Sequence, residues 1–332
     1  MSLGMEFFPD PARAQALDKR MRQQLLDSLV YIFDALHDQP PEDLEGLCSL
    51  VSALKKGHLA SPSTFGLYYE AAGALLQGRE AEGLAMLRAM ETEHTLDSRN
   101  LRILTLDQVT PDTRRQRYQR LMDTDPDTPF RIVSPPDDTA AKGLGDFRQA
   151  YERLKLAVPD LGGEFDALVR EVVLVAGAPE LGYDFAGGSC YMLWGALFIN
   201  AQYHDNDIAM MEAIAHESGH SLLFGFTIDE PLVLNDEREL FVSPLRDDPR
   251  PMDGIYHATF VSARMHWAMS RLLDSGSLSV RESELAAIYR TAESRAFWNG
   301  HQTVSAAARM SATGQALMQS ATAYMAAFPA PS

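Results

Sequence analysis

His216, Glu217 and His220 are the residues of this chain whose types and spacing most directly imply chemistry. They form the pattern His-Glu-x-x-His in His216-Glu217-Ser218-Gly219-His220. On a helix, side chains four residues apart stand on one face, so both imidazoles can reach one metal ion from a single rigid element. Glu217 follows the first histidine and can lean over the same ion. In zinc hydrolases a glutamate placed this way polarises the metal-bound water as general base. The plain alternative is two partly exposed helical histidines with no metal; the surrounding sequence favours the metal helix.

That surrounding sequence starts upstream. Residues 189–202 (SCYMLWGALFINAQ) are rich in aromatic and large apolar side chains with a break at Gly195, and read as one or two short strands. His204-Asp205-Asn206-Asp207 supplies turn and N-cap residues. A helix is expected from about Asp207 to Phe224, with Gly225 as its C′ glycine. Ile208, Met211, Ala215 and Leu222 make its core stripe. His216 and His220 stand at the edge of that stripe, and small Ser218 and Gly219 allow a close approach there. A strand feeding a metal-binding helix is the arrangement used by zincin proteases.

A third ligand has to come from elsewhere. The extended metzincin pattern needs Gly and then His after the second histidine, where this chain has Leu223 and Phe226. The next histidine, His257, falls on a second expected helix at about 253–274, and packed helices can converge on one ion. A carboxylate among Asp229, Glu230, Glu237, Glu239 and Asp253 is the alternative. Between the two helices, residues 227–252 form a long connection with little evident structure, of the kind that is more often functional than idle. Its prolines stiffen the surroundings of Arg246 and Arg250. Either guanidinium could take a carboxylate in bidentate fashion, or could simply pair with Asp247, Asp248 or Asp253.

His216-Glu217-Ser218-Gly219-His220, then Ser243-Pro244-Leu245-Arg246-Asp247-Asp248-Pro249-Arg250-Pro251, then Gly254-Ile255-Tyr256-His257 before an apolar helix, together resemble the HExxH-motif peptide-modification proteins. These accompany ribosomally made peptide natural products, and the resemblance spans roughly residues 189–271. It implies iron(II)- and 2-oxoglutarate-dependent β-hydroxylation of a peptide side chain, on a fold distinct from the double-stranded β-helix of ordinary dioxygenases. It also implies iron ligands at His216 and His220, a third ligand downstream, and a peptide substrate such as a precursor peptide with its leader.

The residues are compatible with that chemistry. Two histidines and a carboxylate with open positions form the facial set of non-haem iron(II) oxygenases, with O2 as co-substrate. The distal carboxylate of 2-oxoglutarate needs a cation, for which Arg246, Arg250 and Arg264 are candidates. The usual dioxygenase signature, His-x-Asp with a distant His, is not evident; His204-Asp205-Asn206 comes nearest and has Asn in place of Asp. The competing enzyme reading is a zinc(II) metallopeptidase with Glu217 as general base. A third reading is a non-catalytic peptide-binding protein.

The rest of the chain sets bounds. Its 332 residues, 46% hydrophobic, can bury a substantial core. Two cysteines, Cys48 and Cys190, are too few for a disulfide framework. No apolar run is long enough to span a membrane and no secretory signal is seen, so a cytoplasmic enzyme without membrane attachment is expected. A net charge of −17 argues against nucleic acid as partner.

Hydrophobic periodicity predicts helices over 11–35, 41–56, 63–77 and 80–93, the last two a hairpin around Gly78 with Leu76 and Leu87 in its core. Further helices are expected over 144–157, 163–175, 279–297 and 303–328, with a Gly-containing loop at 177–188. The methionines of the last helix suggest core packing or a homodimer contact. The expected fold is mainly α with a small β-sheet (α+β), a zincin-like strand preceding the metal helix. A helical N-terminal domain (1–122), a Pro/Asp-rich linker (123–142) and a metal-binding catalytic domain (143–332) complete the expected organisation.

Overall fold

The computed structural model describes residues 4–36, 41–90, 93, 95–96, 100–123, 131–178, 185–243 and 248–329. It is mainly helical with a small sheet. The chain divides into two compact units. One comprises residues 18–144 and 169–203; the other comprises 1–17, 145–168 and 204–332. The division is therefore not the consecutive one expected at 123–142. Of that stretch, 124–130 lie outside the described residues, Ile132–Val133 is a strand, and the remainder opens a helix at Asp137.

In the first of these units, α1 (Pro11–Ala35, which begins in the other unit), α2 (Pro41–Lys55), α3 (Pro62–Leu76) and α4 (Glu80–Ala89) match the expected helices closely. Gly78 turns α3 into α4 at φ +72°, a conformation that disfavours residues with a Cβ. Leu87 is fully buried as expected, but Leu76 is 89% exposed, because α3 ends there. Two short strands, β1 (Leu59–Ala60) and β2 (Thr95–Leu96), pair beside these helices.

The five-stranded sheet contains β3 (Arg102–Thr105), β4 (Ile132–Val133), β5 (Glu171–Gly177), β6 (Gly187–Ser189) and β7 (Ala196–Asn200). Strands β3, β5 and β7 are parallel, while β6 closes one edge antiparallel to β7. The helix expected over 163–175 is instead α7 (Pro159–Leu168) followed by β5. The run Val172-Val173-Leu174-Val175 is fully buried and mostly β-branched, which is the pattern of a central parallel strand. The Gly187-Gly188 pair, expected in a loop, belongs to β6. Gly195, at φ +90°, makes the break that sets β7 in register. Tyr118 and Phe198 meet edge-on in the core beneath the sheet, ring centroids 5.5 Å apart.

The other unit holds the end of α6 (Asp137–Ala157), α7, and then α8 (Asp207–Phe226), α9 (Met252–Asp274), α10 (Val280–Ala307) and α11 (Ala312–Met325). α10 runs ten residues beyond its expected end at 297, and α11 starts at the next N-cap, where Ser311 accepts from the Gly314 N–H at 3.1 Å. The connection 227–252 carries a small hairpin, β8 (Leu240–Phe241) against β9 (Arg250–Pro251). It is also pinned to the α10–α11 corner by a Val233–Met310 bridge and the bond from Leu234 N–H to the Arg309 carbonyl at 2.6 Å. No helix among the described residues is long and apolar enough to cross a membrane.

Candidate metal centre

The metal-motif helix is capped by Asn206, whose backbone is extended (φ −152°) and whose side-chain Oδ1 accepts the Ala209 N–H at 3.0 Å. Asp207 in the first turn complements the helix dipole and takes an ion pair from Arg153. Ile208, Met211, Ala215 and Leu222 are fully buried, as the periodicity requires. The helix passes through Gly225 to Phe226, so Gly225 is not its C′ residue; the Thr227 hydroxyl bonds the Phe224 carbonyl at 2.9 Å and closes the end. Gly219 lets α9 come close: a Cβ there would meet Val261 Cγ1 at 3.0 Å.

On this helix His216 Nε2 and His220 Nε2 face each other at 3.0 Å. That is within the span of about 4 Å available to two donors whose bonds to one ion are about 2.1 Å long. Glu217 is buried, with Oε1 4.0 Å from His216 Nε2. Burial pulls His216 down to about 4. Burial, then the neighbouring His216 and His257, pull His220 well below the usual imidazole range. Both rings are neutral at pH 7, the form that ligates metal.

His257 is brought into this group, but on its far side. Its Nδ1 lies 3.1 Å from His220 Nδ1, and the two rings stack at 5.3 Å between centroids. The two nitrogens of an imidazole point in divergent directions, so one ion cannot sit at both Nε2 and Nδ1 of His220. In this arrangement His257 faces the nitrogen of His220 that is turned away from His216. If His220 Nε2 ligates, its Nδ1–H donates to His257 Nδ1. His257 then carries its proton on Nε2, 4.0 Å from Asp253 Oδ2. In that case His257 would orient the ligating ring, with Asp253 standing 4.0 Å beyond it.

The loop carboxylates are engaged elsewhere or exposed. Glu230 accepts the Thr313 N–H at 3.2 Å. Glu239 holds Arg309 at 2.6 Å. Asp229 and Glu237 are exposed, and Asp253 stands beside His257. Among the described residues no three His, Cys, Asp or Glu side chains already stand as a metal-holding group. The donor set that the fold presents is therefore a pair of neutral, convergent imidazoles with an adjoining glutamate, which fits a divalent transition metal needing further donors.

The arginines divide differently. Arg264 is fully buried, donating to the Phe7 carbonyl at 2.8 Å and ion-pairing with Glu164, which removes it as a cofactor cation. Arg250 pairs with Asp248 at 2.6 Å, the plainer of its two expected roles. Arg246 lies outside the described residues.

Two carboxyls near this helix face were not picked out from sequence. Glu212 precedes His216 by one helical turn, and Glu293 on α10 interacts with it. The spacing of Glu212 from His216 was readable; the approach of α10 was not, because nothing local encodes it. No protein-family model matches the chain, and no curated protein matches it.

Proposed function

We propose that this protein is an iron(II)- and 2-oxoglutarate-dependent hydroxylase that acts, at Cβ, on a side chain of a ribosomally made peptide. The observation that carries the metal-enzyme reading is the 3.0 Å approach of His216 Nε2 to His220 Nε2, with both imidazoles neutral at pH 7. The choice of hydroxylation rests on the resemblance of the three sequence motifs. Iron(II), when bound with 2-oxoglutarate and O2, supplies oxidative decarboxylation coupled to oxygenation of a C–H bond.

The chain's own residues have distinct tasks in this reading. His216 and His220 present two nitrogens to the ion. His257 fixes the tautomer and tilt of His220 through the Nδ1–Nδ1 contact. Arg250 is the described candidate for the distal carboxylate of 2-oxoglutarate, exchanging its partner Asp248 for the cofactor. Glu217 lies beside the ion-facing nitrogens without being needed as a ligand.

A zinc(II) peptidase is the second reading, favoured by Glu217 Oε1 at 4.0 Å from His216 Nε2, where a general base would stand. Succinate formation from 2-oxoglutarate under O2, with iron(II) supplied, separates the two. The hydroxylase forms succinate and loses that activity in His216→Ala. Peptide cleavage that is indifferent to 2-oxoglutarate and abolished by Glu217→Gln would replace it with the peptidase. Neither activity, with peptide still bound, would leave a binding protein.

A further inference from the structure

The unit of residues 18–144 and 169–203 holds a cavity of about 230 Å³ that the metal-centre reading does not use. Helix α1 brings Gln24 and Ser28 to it, and α3 brings Phe65, Tyr68 and Tyr69. The single turn Tyr191–Leu193, just before β7, brings Tyr191. The tyrosines form a connected cluster, with ring centroids 4.9 Å apart for Tyr68 and Tyr69 and 5.6 Å apart for Tyr69 and Tyr191. All three are half-buried, so their rings wall an open cavity instead of filling a core. Tyr31 follows Ser28 by three residues on the same face of α1 and is 75% exposed, which extends the aromatic surface along that helix.

Among the described residues no charged side chain lines the cavity, although the chain carries a net charge of −17. Burial, then a hydrogen bond to Tyr191, raises the Tyr69 hydroxyl above its ordinary range and keeps it neutral. An ionic ligand therefore finds no counter-charge here. The polar groups are hydroxyls and an amide, each able to take part in more than one hydrogen bond, so bonds within the fold do not exhaust them. The volume is below the roughly 300–1,000 Å³ of sites that enclose a whole small ligand, so the cavity fits one or two side chains of a longer one. A polyproline-type segment meets these conditions. Its rings pack on aromatic faces, and its carbonyls have no internal hydrogen-bond partner.

We propose that this tyrosine-walled cavity docks an extended, proline-bearing segment of a peptide. The inference rests on the peptide-substrate reading above and names the part of the peptide that is recognised. Prolyl rings pack against Tyr68, Tyr69 and Tyr191, Gln24 and Ser28 bond the peptide carbonyls, and Tyr31 receives the next turn of the ligand.

The test is fluorescence anisotropy of a labelled decaproline peptide titrated with the full chain, in EDTA so that the reading does not depend on the metal centre. Wild type is expected to bind it with a micromolar dissociation constant and to ignore a glycine–serine peptide of the same length and label. Tyr68→Ala removes one wall and Ser28→Trp fills the space; each is expected to weaken binding by about tenfold or more. Tyr31→Ser, at an exposed position, is expected to melt as wild type does and to bind about threefold more weakly, which keeps a readout should the other two melt early. Absence of decaproline binding by wild type, or wild-type affinity in all three variants, overturns the inference. Saturable binding of indole without binding of decaproline also overturns it and makes the cavity a small-molecule site. These outcomes leave the hydroxylase reading to its own succinate assay. Decaproline binding without succinate formation keeps the docking site and moves it to a peptidase or a binding protein.

Discussion

At the scale of single residues, the two nitrogens of His220 divide the labour of the site. Nε2 faces His216 and Nδ1 faces His257, at 3.0 and 3.1 Å. His257→Ala is therefore expected to retain the metal with affinity lowered about 10- to 100-fold, the usual effect of removing an orienting partner. His216→Ala should abolish binding; chelator competition on the two variants checks both. Arg264 gives a second contrast. Its guanidinium and that of Arg13 both meet Glu164, inside the unit that contains α8. Glu164→Leu leaves two buried arginines without their carboxylate and should cost about 3–5 kcal/mol by urea unfolding. The histidine pair was legible because four-residue spacing is a local property of one helix. The engagement of Arg264 was not, because Glu164 lies 100 residues away in sequence.

At the scale of elements, caps and close approaches decide where the site can be built. Asn206→Ala removes the N-cap of α8 and should lower stability by about 1 kcal/mol in thermal or urea melts. At the start of α10, Arg153 first and then the Ser279 N–H and hydroxyl hold the Glu282 carboxyl down to about 2. A native value below the unfolded one means that the unfolded chain takes up its proton first. The stabilisation is thus present above about pH 4.5 and is lost as pH falls toward 2. Glu282→Gln should cost about 0.5–1 kcal/mol at pH 7, and the difference from wild type should close as pH falls toward 2. The start of α8 and both ends of α9 could be read almost to the residue, since polar N-caps and apolar stripes act locally, whereas α8 runs past its expected C′ glycine, Gly225, to Phe226. The second half of 163–175 was misread because a short apolar run fits a buried strand or a buried helix; only its β-branched residues favoured the strand.

At the scale of the whole molecule, the chain leaves and re-enters each of its two units, so composition along the sequence could not mark their borders. Within the unit containing α8, the long connection before α9 is fastened at the α10–α11 corner. A Cβ on Gly314 would collide with the Leu232 carbonyl oxygen, a backbone atom with little room to move. Gly314→Ala should therefore destabilise the fold by roughly 1–3 kcal/mol, as overpacking does, with faster proteolysis of the connection as a second readout. These contacts hold α9, and with it His257, in place behind the metal-motif helix. The measurement that bears most directly on the account is made without any peptide. Iron(II) is loaded anaerobically, 2-oxoglutarate is added, and the visible charge-transfer band of the chelated keto acid is sought. The account predicts a band in wild type that is absent in His216→Ala and retained in Arg264 variants that still fold. No band, with tight zinc(II) bound through the same histidines, would contradict it.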